Sequence, residues 1–261
     1  MSVASSATKP PVSKTDNPLL IGKGLPPFSK IQPNHVVPGI EQLLQTLEND
    51  LADIEQHLSE SSASAIRWET LIDPLTSVTE RLSWSWGIIG HLMGVKNSPE
   101  LREAYEKVQP ALVQFSNRIG QSQSIYNALK QLRNAQGWDE LSSAQQRIVE
   151  AALRDAELSG VGLKGDHKKT FNQIQQRLAE LSTQFSNHVL DATKAFSLTL
   201  TAKEDVVGLP PSLLSLSAQA ARDAGSTEAT AEEGPWKITL AAPSYVPFMR
   251  HSQRRELREN V

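Results

Sequence analysis

Along most of the chain, apolar residues recur at alternating steps of three and four. That is the spacing of a helix that buries one stripe. The stretch from Phe171 to Leu200 shows it most fully. Phe171, Ile174, Leu178, Leu181 and Phe185 share a stripe that His188 and Ala192 continue. At Phe196 the period changes. Phe196, Leu198 and Leu200 alternate with Ser197, Thr199 and Thr201, which is strand spacing.

The same helical period predicts the elements upstream. Residues 17–33 are rich in Pro and Gly and read as an extended lead-in. Ile40, Leu43, Leu44, Leu47, Leu51, Ile54 and Leu58 mark a first long helix, with Pro38 in its first turn and His57 beside the stripe. It ends near residue 60 at a Ser/Ala linker. A second helix runs from near Trp68 to about Val95, with Pro74 in its first turn or at a kink. Leu82, Trp86, Ile89, Leu92 and Met93 point inward, and Gly87, Gly90 and Gly94 are aligned to let another helix approach closely.

Ser98, Pro99 and Glu100 supply the N-cap, the first helical position and an acid for a third helix. That helix carries Leu101, Tyr105, Val108, Leu112 and Phe115. Ile119, Ile125, Leu129 and Leu132 suggest a fourth, ending at Gly137. Ser142-x-x-Gln145 is a capping-box pattern opening a fifth, through Ile148, Ala151, Ala152 and Leu158.

Downstream of the first strand, a short amphipathic helix begins at Pro210 or Pro211, and a polar loop follows. Trp236, Ile238 and Leu240 then alternate with Lys237 and Thr239 as a second strand. Two strands alone are marginal in water, so they must pack on helices or on something outside the chain. AAPSYVP reads as a turn, and a helix restarts near Pro247. The pattern is therefore mainly α: an antiparallel multi-helix body with a small two-stranded β element near the C-terminus. Its expected organisation is a disordered tail and lead-in over 1–25 and a helical lobe over 26–195. A hairpin-like element with an inserted helix covers 196–242, and the start of a truncated helix covers 243–261.

Composition changes the picture only by exclusion. In 261 residues, 39% are hydrophobic, enough for a substantial core. With 26 basic against 29 acidic residues, the net charge of −3 argues against a nucleic-acid or anionic-membrane surface. There is no Cys, so disulfides and thiolate metal sites are excluded. No apolar run reaches the roughly 18 residues of a membrane span. The first residues carry Lys9 and Lys14 but neither Arg nor an apolar core, and read as a disordered cytoplasmic tail in preference to a transit peptide.

Candidate chemistry is sparse. The histidines stand at 35, 57, 91, 167, 188 and 251, so none forms a helical zinc pair. His91 reads as a hydrogen-bonded packing residue, because no second ligand sits within a helical turn. Gly160, Gly162 and Gly165 match G-x-G-x-x-G, but a helix precedes them and another follows, so they read as a helix stop and turn. Glu100, Glu103 and Glu106 read as a solvated helix face. Arg250, Arg254, Arg255 and Arg258, interrupted by Glu256 and Glu259, read as a salt-bridged surface helix. Nucleophile elbows and P-loops are absent. The residues alone nominate no catalytic, cofactor-binding or metal-binding position.

Several blocks together resemble the N-terminal part of the oligopeptidase A and thimet oligopeptidase family of zinc metallopeptidases. They include LPPFSKIQPNHVVPGI, HLMGVKNSPELREAYEKVQP, LSGVGLKG, RLAELSTQFSNHVLDATKAFSLTLT and WKITLAAPSYVPFM, in order over roughly residues 17–258. The resemblance implies a mainly α-helical fold of two lobes flanking a channel that admits short peptides. It also implies a zinc held downstream by the two His of H-E-x-x-H and a later Glu, with the motif Glu polarising a zinc-bound water. None of those residues maps onto this sequence. The implied reading is the channel-wall half of a cytosolic peptide-degrading enzyme, inactive by itself, with zinc and the catalytic lobe supplied elsewhere. The alternative is a non-catalytic helical module that binds peptides or a companion chain.

Overall fold

A computed structural model describes residues 16–62 and 65–261. The expected tail over residues 1–15 lies outside them. The described residues form two units, the first ending at Glu180 and the second running Leu181–Val261. The fold is mainly helical with one small antiparallel sheet, as the periodicity predicts.

In the first unit, α1 (Pro33–Glu60), α2 (Trp68–Val95), α3 (Pro99–Gly120) and α4 (Gln123–Arg133) pack around α1, and α5 (Ser143–Leu158) adds to α4. The α1 stripe is buried as read, with Ile40, Leu43, Leu47, Leu51 and Leu58 inside. Its start differs from the expectation. Pro33 opens the helix, so Pro38 lies a full turn inside it. Asn34, whose carbonyl bond Pro38 removes, is exposed, and the first turn tolerates that loss. The N-terminus is fixed instead by His35, whose Nδ1 accepts from the Gln32 N–H at 3.1 Å.

The lead-in is not simply extended. It forms 3-10 turns at Pro18–Leu20 and Phe28–Lys30. Leu19 is fully buried in a cluster with Val36, Ile40, Ile88 and Ile89. Its carbonyl accepts from Ser85 Oγ at 2.7 Å. Asn17 clasps the same place: its Oδ1 accepts from the Leu19 N–H at 3.0 Å and its Nδ2 donates to the His35 carbonyl at 2.8 Å. Gly39 makes this approach possible, because a Cβ there would lie 2.7 Å from the Asn17 amide.

Two further expectations fail for one reason. Periodicity identifies a helix but not what faces it. Gly87, Gly90 and Gly94 have no atom within 4 Å of a built Cβ, so no helix approaches them among the described residues. In α5 the buried residue is Val149, while Ile148 and Leu158 face solvent. Ile119 belongs to α3, and α4 ends at Arg133, before a 3-10 turn at Gln136–Glu140. The Ser98 and Ser142 caps are as read: Ser98 Oγ accepts from Leu101 N–H at 3.2 Å, and Ser142 Oγ from Gln145 N–H at 3.3 Å.

The second unit contains β1 (Ser197–Leu200), α7 (Pro211–Asp223), β2 (Trp236–Thr239), α8 (Ala242–His251) and α9 (Arg255–Asn260). The strands pair antiparallel, Leu198 opposite Ile238 and Leu200 opposite Trp236. Leu200, Trp236 and Ile238 are buried with Leu213, Ala218 and Phe248, so α7 and α8 cover one face of the hairpin. AAPSYVP is not a turn: α8 takes in most of it. Pro243 sits where helical N–H groups are free anyway. The helix expected from Pro247 onward is two helices, broken after His251.

Leu19→Ala is expected to lower the stability of the first unit by about 2–4 kcal/mol, because it opens a cavity in a closed cluster. Leu25, 95% exposed in the same lead-in, is the control. Leu25→Ala should stay within about 0.5 kcal/mol. Urea unfolding midpoints of the two variants check both.

Candidate functional site

The residues singled out by sequence do not assemble into a reactive centre. Among the described residues, no three His, Asp or Glu side chains converge as metal ligands, so those residues offer no fit for a zinc ion. His91 is exposed; its ring packs tilted against Phe28, centroids 5.2 Å apart, but without the hydrogen bond expected of it among the described residues. Gly160 has φ +83° and ends α5, with the Val161 N–H donating back to the Ala156 carbonyl at 3.1 Å. The glycine motif is thus the expected helix stop. Arg254 pairs with Asp205 at 2.7 Å and with Glu256, and Arg258 donates to the Ser252 carbonyl. The salt-bridged reading of the cluster therefore holds for Arg254, while Arg250, Arg255 and Arg258 make no ion pair among the described residues.

The feature that sequence reasoning missed lies in the first unit, between α3 and α6 (Gly165–Ala195). α6 is the helix with the clearest apolar stripe, yet Ile174 and Leu178 are each 52% exposed and Phe185 69% exposed. Among the described residues, no α6 side chain joins any of the three apolar clusters. Carboxamide hydrogen bonds join α6 to α3 along the groove. Gln121 Nε2 donates to Asn172 Oδ1 at 2.8 Å and to the Ser159 carbonyl at 2.9 Å. Gln176 Nε2 donates to the Pro110 carbonyl at 2.8 Å, and Gln109 Nε2 to the Ala179 carbonyl at 3.2 Å. The pairing of 121 with 172, and of 110 with 176, makes the two helices antiparallel.

Because these long polar side chains hold the helices apart, a groove of about 850 Å³ opens between them. Its walls carry Gln114, Asn117, Gln173, Lys168 and Lys169 as well as the bonded amides, and no carboxylate. Arg118 also borders it but is engaged on its other side. Its Nη1 donates to Glu55 Oε1 at 2.7 Å, its Nη2 pairs with Glu55 Oε2, and its Nε lies 3.3 Å from Glu48. Ser122 Oγ donates to Glu55 and accepts from the Ile125 N–H, so one hydroxyl caps α4 and ties it to α1. The Arg118 guanidinium, helped by the Ser122 hydroxyl, holds the Glu55 carboxyl below its usual value, against the opposing effect of partial burial. A sequence signal for this wall did exist: amides recur at 114, 117 and 121 and at 172, 173 and 176.

Comparison with known proteins places this scaffold. The sequence model described as Neurolysin/Thimet oligopeptidase, N-terminal domain, matches residues 40–168. The probable cytosolic oligopeptidase A of Arabidopsis thaliana is 49% identical over 95% of this chain and 34% of its own length. The organellar oligopeptidase A, chloroplastic/mitochondrial, of the same plant is 48% identical over 95% of this chain and 30% of its own. Oligopeptidase A of Haemophilus influenzae is 40% identical over 94% of this chain and 34% of its own. The chain belongs to the oligopeptidase A and thimet oligopeptidase family. It spans about a third of the length of the curated relatives it matches. The Glu55 cluster and the α3 wall of the groove lie inside the matched residues, while the α6 wall from Lys169 to Gln176 lies beyond them.

The Glu55 cluster sets an acid dependence. Its folded pKa is lowered, so its stabilisation is present above the ordinary glutamate range and is lost as pH falls through the folded value. Glu55→Gln should therefore lower stability at pH 7 by about 1 kcal/mol, as befits a partly exposed charged pair. The gap to the parent should close as melts are taken at progressively lower pH below that of an ordinary glutamate.

Proposed function

We propose that this chain is the N-terminal, channel-wall part of an oligopeptidase A-like zinc metalloendopeptidase that hydrolyses short peptides in cytoplasmic peptide turnover. The observation that carries the reading is the match to the cytosolic relative: 49% identity along nearly all of this chain, against a third of the relative's length. Such coverage fits a chain that contributes one lobe, while zinc and the hydrolytic side chains come from residues outside 1–261. No hydrolytic step is assigned to this chain's own residues, because none of them fits the metal.

The exposed stripe of α6 supports the same reading. Five large apolar side chains, Ile174, Leu178, Leu181, Phe185 and Val189, lie half open to solvent along one helix. Burying the remaining half of each would be worth about 0.7–1.5 kcal/mol. A catalytic lobe packed there would recover that energy. No helix among the described residues is long and apolar enough to cross a membrane.

The purified chain, dialysed against zinc and measured by atomic absorption, is expected to hold well under one zinc per chain and to leave a quenched fluorogenic peptide uncut. One zinc per chain with turnover would overturn the reading. Coding DNA read past codon 261 should continue into an H-E-x-x-H segment, in frame or after a frameshift; unrelated sequence after a stop would count against it.

A further inference from the structure

The groove between α3 and α6 has chemistry that neither the fold nor the proposed hydrolysis uses. We propose that it binds an extended peptide of about five residues, held by its backbone, with the C-terminal carboxylate against Lys168 and Lys169. The choice of a peptide as ligand rests on the reading of the family as peptide-handling; the site itself rests on the following geometry.

Exposed Gln114 and Gln173 and half-buried Asn117 line a groove of about 850 Å³ with their carboxamides bonded to no protein group among the described residues. That volume lies within the roughly 300–1,000 Å³ of small-ligand sites. A carboxamide carries both a donor and an acceptor, which is the alternation an extended backbone presents. From Gly165 to Gln176 the α6 wall runs about 16 Å at the helical rise. Five extended residues span about the same length.

One end of the groove is cationic in an unusual place. Lys168 and Lys169 stand in the opening turns of α6, where the positive end of the helix dipole disfavours cations. Neither makes an ion pair among the described residues, and no carboxylate lines the groove. An incoming carboxylate would be met by two ammonium groups and the helix end, and would relieve their mutual repulsion. The groups favour a peptide over a phosphate ligand. The one guanidinium at the groove is already engaged in a two-pronged pair with Glu55, and beyond the two ammonium groups at one end the free groups along the groove are neutral amides, which match peptide backbone and not a compact anion.

The test uses fluorescence anisotropy on the whole chain, with an N-terminally dye-labelled penta-alanine that ends in a free carboxylate, and the same peptide as its C-terminal amide. The free acid should bind about tenfold tighter than the amide. Lys168→Ala with Lys169→Ala should bring the acid down to the amide's affinity. Gln114→Ala with Gln173→Ala should weaken both forms severalfold. Lys194→Ala, a charge removed at the far end of α6, should change neither. Circular dichroism of each variant verifies folding.

Equal affinity for acid and amide, no saturable binding into the millimolar range, or an unaffected double-lysine variant would overturn the site. Full displacement of the acid by equimolar inorganic phosphate would reduce it to an unspecific anion patch and would overturn it too. The readout needs neither zinc nor turnover. A failure here leaves the family reading untouched, and a failure of the hydrolase reading leaves a measured affinity standing.

Discussion

The first unit depends on one constraint: the stripe of α1 has to serve two apolar clusters at once. Val36 and Ile40 at its N-terminal end close on Leu19, Ile88 and Ile89, while Leu43, Leu47, Leu51 and Leu58 close on Leu71, Phe115 and Leu129. A single helix 28 residues long thereby fixes α2, α3 and α4 around itself. The polar devices are arranged about that axis. Arg118 and Ser122, on α3 and at the cap of α4, both reach Glu55 on α1, and Arg81 on α2 reaches Asp50. Each pair sits at the edge of the stripe, where partial burial strengthens it without the full desolvation penalty of an interior charge.

α1 and α6 explain how much a sequence of this kind discloses. Both show the same alternation of threes and fours, and from the residues alone both read as core helices. In the structure α1 is buried and α6 lies open. Periodicity is a property of one helix, whereas burial belongs to a pair, and no apolar cluster among the described residues takes in α6. The same distinction undoes the glycines of α2, which are spaced for a close helix approach that does not occur. In α5 two adjacent apolar residues, Ile148 and Val149, fit neighbouring helical faces equally well, and only packing selects Val149.

What was legible has local causes. The serine caps, the Gly160 stop and the change of period at Phe196 are each decided within a few residues, and each stands where it was read. Pro38 misled because Pro33 satisfies the same rule just over a turn earlier, and the one carbonyl bond that Pro38 removes, at exposed Asn34, does not forbid the earlier start. The groove was not legible. Glutamine and asparagine are neither apolar nor charged, so an amide stripe leaves no trace in a hydropathy pattern.

The way α6 is attached connects these points. Carboxamide bonds from Gln109, Gln121 and Gln176 join α6 to α3, each worth about 0.5–1.5 kcal/mol. Had apolar side chains made the contact, the helices would have met at roughly 8–10 Å between axes and no groove would have remained. Long amides keep them apart and line the space they create. They also release the apolar stripe from the task of holding α6 to α3. On the proposed reading, that freedom is the physical reason one helix carries both a polar wall suited to peptide backbone and an apolar face suited to a catalytic lobe. A helix fully buried in its own unit could have offered neither.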